Sequence, residues 1–149
     1  MTAPLRALLG FLAAALSVLT FHQGMWGLLY ALGLMPRAPY PMVPVPPYGV
    51  PLLLNLCFWG GLYGLAYGFV WPRLARIPGW LSGLALGLLA ALVSWFVVAP
   101  LKGQPLAGGF DPMRMLISIL INGCWGIGVG LILPMLLPRS ARLHSTSLR

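Results

Sequence analysis

The chain has 149 residues, 60% of them hydrophobic and 7% charged, with nine Lys or Arg against one acid and a net charge of +8. With a mean hydropathy of +0.92, this excludes an ordinary soluble domain, in which about 25% of residues are charged. The basic residues stand singly or in pairs at the ends of apolar blocks, which reads as topology signal and contact with anionic lipid rather than as a nucleic-acid surface.

Four apolar blocks meet the requirement of about 20 residues for crossing a bilayer as helices. The expectation is therefore a single all-α integral membrane domain over 1–149. The first block, Leu5–Leu34, is too short for two passes and is read as one uncleaved span with an extension beyond the membrane. The connection 36–51 carries seven prolines, which predicts a stiff, extended loop with Tyr40 and Tyr48 near the headgroups. The second span is placed at Leu52–Trp71 and the third at Trp80–Val98. A polar, glycine-bearing connection, 99–114, leads to the fourth span, Met115–Leu137. Its Asp111-Pro112 pair suits the N-cap and first position of that helix. A basic tail, 139–149, follows.

The distribution of positive charge orients the bundle. Arg6, Arg73, Arg76, Arg139, Arg142 and Arg149 share one side, against Arg37, Lys102 and Arg114 on the other. That excess predicts both termini in the cytoplasm. The Ala/Leu/Gly/Pro/Arg bias and the small size suggest a bacterial inner membrane.

Two stretches echo each other. Trp59, Gly60, Gly64, Leu65, Pro72, Arg73, Ala75 and Arg76 match Trp125, Gly126, Gly130, Leu131, Pro138, Arg139, Ala141 and Arg142 at one offset. Asn55 and Cys57 match Asn122 and Cys124 one residue out of step. Gly10, Leu12, Ala13, Ala14 and Ser17 align with Gly87, Leu89, Ala90, Ala91 and Ser94. The pattern predicts two tandem helical hairpins of like orientation, spans 1–2 and 3–4, in the manner of parallel repeats. Phe58 is the extra residue behind the change of step. One residue turns a helix by about 100°, so either a π-bulge absorbs it or Asn55 and Asn122 point differently.

Gly60, Gly64 and Gly68 recur every fourth residue, as do Gly126 and Gly130. Such a glycine zipper lets helices approach closely, within the bundle or against another subunit.

Chemistry is sparse. Asp111 is the only acid, so no carboxylate pair exists for acid–base catalysis or proton coupling. Two histidines and two separated cysteines form no zinc or cluster motif, and Cys57 and Cys124 read as packing residues. The candidate polar group is His22, Gln23, Asn55, Asn122, Lys102 and Gln104, placed toward the outer mouth of the bundle, where donors without carboxylates suit a neutral or anionic ligand. The expected function is that of a non-enzymatic scaffold or accessory subunit. It has no cofactor, no metal and no nucleic-acid partner, and its partners are the lipid bilayer and either another membrane protein or copies of itself. The alternative is a small oligomeric transporter or channel.

Overall fold

A computed structural model of the protein describes residues 1–74 and 76–138; the expected tail 139–149 lies outside the described residues, as does Ala75. Four helices are long and apolar enough to cross a membrane: α1 (Ala3–Ala31), α2 (Leu52–Leu74), α3 (Gly79–Leu101) and α4 (Pro112–Leu136). This is the build of a multi-pass membrane protein. In lipid an exposed backbone amide has no water to bond, so long apolar segments close their hydrogen bonds internally as helices.

Each helix starts or stops for a local reason. Asp111 caps α4, its Oδ1 accepting from Met113 N at 2.8 Å and Arg114 N at 3.2 Å, with Pro112 at the first position. Helix α2 does not stop at Trp71 as expected but runs through Pro72 to Leu74. Proline has no N–H to offer the carbonyl four residues back, which is Gly68. Arg6 supplies the missing donor from α1, its Nε lying 2.9 Å from Gly68 O and its Nη2 3.3 Å from Phe69 O.

The helices lie in the order α2–α1–α4–α3, with α1 and α4 at the centre. Small residues set the separations. Gly10 of α1 rests on Gly64 and Gly68 of α2, so closely that a Cβ on any of them would strike main chain. Gly79, Gly83 and Gly87 of α3 meet Gly130, Gly126 and Asn122 of α4 in the same way. Helix α4 also turns a second face to α1: Gly128 sits against Ser17 and Phe21, and Trp125 Nε1 donates to Ala14 O at 3.1 Å. Ser17 Oγ returns a hydrogen bond to Trp125 O at 2.6 Å. The core is accordingly built from Ala13, Ala14, Val18, Tyr67, Trp125, Val129 and Leu133.

The two hairpins close with different registers. Gly10 opposes Gly64, yet Gly87, its match in the sequence alignment, opposes Asn122 rather than Gly130, the match of Gly64. The displacement is roughly two helical turns. In the first hairpin this register leaves α1 extending beyond the start of α2 by roughly 13 Å, at ~1.5 Å per residue.

The Pro-rich connection packs beside that extension. It is not the extended strut that its prolines suggest: it folds back as a short hairpin, β1 (Pro44–Val45) pairing antiparallel with β2 (Val50–Pro51). Gly49, at φ +67°, donates to Val45 O at 2.9 Å and makes the reversal. The described residues are thus helical with one small β-hairpin.

No π-bulge occurs at Phe58, where α2 is regularly α-helical. The π turns lie instead at Val18–His22 of α1 and Ser94–Val98 of α3. The one-residue step between the echoed stretches is therefore left in place, and the neighbours of Asn55 and Asn122 differ accordingly.

Candidate functional site

One face of the bundle carries both long connections, and the polar residues singled out from the sequence separate there into two places. The first is the end of α1. The π turn inserts one residue into the helix just before Gln23, and both His22 and Gln23 are buried. Gln23 Oε1 accepts from Tyr40 N at 2.6 Å, while its Nε2 lies 3.3 Å from His22 Nδ1. An amide NH2 can only donate, so Nδ1 accepts and the imidazole is neutral with its proton on Nε2. The Tyr40 hydroxyl donates to Leu19 O inside the π turn at 3.0 Å, and Trp26 Nε1 donates to Arg37 O at 2.8 Å. These bonds bind the Pro-rich connection onto α1 and hold Tyr40 at φ 58°, a conformation uncommon for an aromatic residue. His22 and Gln23 thus form a strut in which both ends of the Gln23 amide are engaged, its oxygen by Tyr40 N and its nitrogen by His22 Nδ1.

The second place is the loop end of α3 and α4. A cleft of about 430 Å³ opens there, lined by Ser94, Trp95, Gln104, Gly108, Arg114 and Ser118 among others. Trp95 Nε1 donates to Ser118 Oγ at 3.1 Å. Asn122 lies one turn deeper; its Nδ2 donates to Ser118 O at 2.9 Å and approaches Ser118 Oγ at 3.5 Å. Gln104 borders the cleft, whereas Lys102 is exposed beside it and is not part of its lining. Asn55 is half-buried on α2, at the far flank of α1, and no hydrogen bond joins it to Asn122 among the described residues. The six residues therefore do not converge on one mouth: His22 and Gln23 stay together, Gln104 meets the cleft, Asn122 reaches it through Ser118, and Lys102 and Asn55 stand apart.

The glycines singled out from the sequence divide between the hairpins. Gly64 and Gly68 face Gly10 and Ala7 of α1, while Gly126 and Gly130 face α3. Gly60 looks toward Val18 of α1 and the Trp125 ring of α4. The α3 glycines that meet α4, Gly79, Gly83 and Gly87, carry the same four-residue spacing in the sequence. Sequence reasoning missed the Tyr67–Ser82 hydrogen bond of 2.6 Å that ties α2 to α3. It likewise missed Arg114 and Ser118 in the cleft; no local pattern marks either group.

Among the described residues no group of three or more His, Cys, Asp or Glu side chains could hold a metal ion, and Cys57 and Cys124 are both free. In comparison with known proteins, no family model matches the chain, and no curated protein and no solved structure is significantly similar to it.

Proposed function

We propose that the protein is a non-enzymatic scaffold or accessory subunit of a membrane assembly, set in a bacterial inner membrane with both termini cytoplasmic. The observation that carries this reading is the state of its polar groups. Every buried side-chain nitrogen or oxygen among the described residues has a hydrogen-bond partner within the fold. In the buried set, Ser17 is engaged by Trp125 O, Gln23 by Tyr40 N, His22 by the Gln23 amide nitrogen and Ser82 by the Tyr67 hydroxyl. A centre packed with glycine and alanine and satisfied in this way favours a part that stays rigid over one that passes a solute.

The glycine faces are engaged between α1 and α2 and between α3 and α4, so lateral contacts fall to other surfaces. Helices α2 and α3 bury only 22% and 17% of their most apolar windows, against 44% for α4. Phe58, Trp59, Phe69, Trp80 and Phe96 are exposed on them. A partner helix would bind on these flanks, in exchange with lipid. The tandem-hairpin reading gains support from the two π turns, which follow or include the aligned residues Ser17 and Ser94. Under it, the register difference is a later divergence between the copies.

A second reading, an oligomeric transporter or channel for a neutral or anionic solute, draws on the polar cleft beside Arg114. Native mass spectrometry of gently extracted protein separates the two. A stable complex with another membrane protein supports the scaffold. A homo-oligomer that gives solute flux in proteoliposomes supports the transporter. A lone monomer at every detergent concentration refutes both.

A further inference from the structure

We propose that the cleft at the loop end of α3 and α4 binds a phosphate group, as the headgroup of an anionic phospholipid or as a small soluble phosphate ester. The lining supplies one guanidinium (Arg114), one carboxamide (Gln104) and two hydroxyls (Ser94 and Ser118), and it contains no carboxylate. A guanidinium presents paired N–H donors that match two oxygens of a phosphate. Asp111 lies outside the lining and offsets the Arg114 charge only weakly. Its Oδ1 is engaged in capping α4, and its Oδ2 stands 3.7 Å from Arg114 Nε, in an exposed i,i+3 pair of the weak kind.

Ser118 gives the hydrogen-bonding sense of the ligand, and Arg114 its charge. The Ser118 Oγ already accepts from Trp95 Nε1 at 3.1 Å and faces Asn122 Nδ2 at 3.5 Å. A hydroxyl whose oxygen faces two N–H donors has its own proton left to give. Among the described residues no side chain or backbone group accepts it. The cleft therefore calls for an acceptor, which a phosphate oxygen is and an ammonium is not.

Depth favours the lipid source. Helix α3 has 23 residues, roughly 34 Å at ~1.5 Å each, against about 30 Å of hydrocarbon. Its last residues, Ala99–Leu101, thus reach the headgroup region, and Trp95 and the π turn Ser94–Val98 lie less than two turns beneath, close to the interface at which tryptophan is enriched. Phe96, Val97 and Leu101 on the same helix end are exposed, offering apolar surface for acyl chains next to the cleft. The exposed Lys102 adds a second positive charge there. A volume of about 430 Å³ is in the range of small-ligand sites, and it suits a phosphoglycerol-sized group.

The test uses the full chain in a non-ionic detergent, titrated with a short-chain phosphatidylglycerol, a short-chain diacylglycerol lacking phosphate, glycerol 3-phosphate and inorganic phosphate. Bound adducts are read by native mass spectrometry and affinities by calorimetry. The expected result is saturable binding of the phosphatidylglycerol and none of the diacylglycerol. Arg114→Gln weakens binding about tenfold through loss of a charge-assisted bond. Ser94→Leu, which fills the cleft, has a similar effect, while Arg73→Gln at the opposite end has none. Gln104→Ala, exposed and outside the helices, weakens binding several-fold without touching the fold. If glycerol 3-phosphate binds as tightly as the lipid and competes with it, the site stands and its ligand is soluble. Unchanged affinity in both Arg114→Gln and Gln104→Ala overturns the proposal, as does equal binding of the diacylglycerol.

Discussion

Gly126→Ala should part α3 from α4. A Cβ at Gly126 would lie 2.6 Å from Gly87 N and 2.8 Å from Gly87 Cα, and closer still to the Gly83 carbonyl oxygen. All three atoms are main chain, so no side chain can rotate away. Restoring an ordinary contact of about 3.4 Å requires the helices to separate by roughly 1 Å along a seam that also includes Gly79, Gly83 and Gly130. Dispersion falls steeply over such a gap, and in lipid it is a main force holding these helices together. Overpacking of this kind costs about 1–3 kcal/mol. Gly24→Ala is the matched control: Gly24 is also helical, but a Cβ there meets nothing within 4 Å. Replacing it should be neutral or stabilise by about 0.5–1 kcal/mol through helix propensity. Reversible unfolding in mixed micelles, followed by circular dichroism, compares the two. Equal stability of Gly126→Ala and Gly24→Ala would show that the glycine seam does not set the helix spacing.

Two further outcomes are expected. Arg6→Ala removes the donor that answers the Gly68 carbonyl and should destabilise by about 1–3 kcal/mol; Pro72→Ala restores an N–H at the fourth position and should abolish most of that loss, so additivity in the double-mutant cycle would contradict the account. Tyr40→Phe deletes the bond to Leu19 O, worth about 1 kcal/mol. It should speed limited proteolysis after Arg37, and an unchanged cleavage rate would mean that the loop is held by Gln23 and the Trp26–Arg37 bond alone.

What could be read along the chain was whatever local chemistry decides. A run of about 20 apolar residues must be a helix in lipid, whatever its neighbours. Hence four blocks became four helices, with ends displaced by only a few residues. Asp111-Pro112 caps α4 because the cap involves only residues 111–114. Helix pairing is a different problem. A soluble helix declares its buried side by amphipathicity, but here every face is apolar and water sorts none of them. Glycine spacing shows that a close approach exists without saying to what: α4 carries Gly126 and Gly130 toward α3, and Gly128 toward α1.

The tertiary structure decided the rest. It set the register of each hairpin and placed α1 and α4 at the centre. It bound the Pro-rich connection through Gln23 and Tyr40, groups far enough apart in sequence that no local pattern links them. It also divided the polar residues between a strut and an open cleft, because α1 and α3 end in different surroundings although they share similar sequence. The echo between the two halves fixes what each helix is made of. Which faces meet, and at what height, depends on the shapes of two helices together, and that is not written in either one.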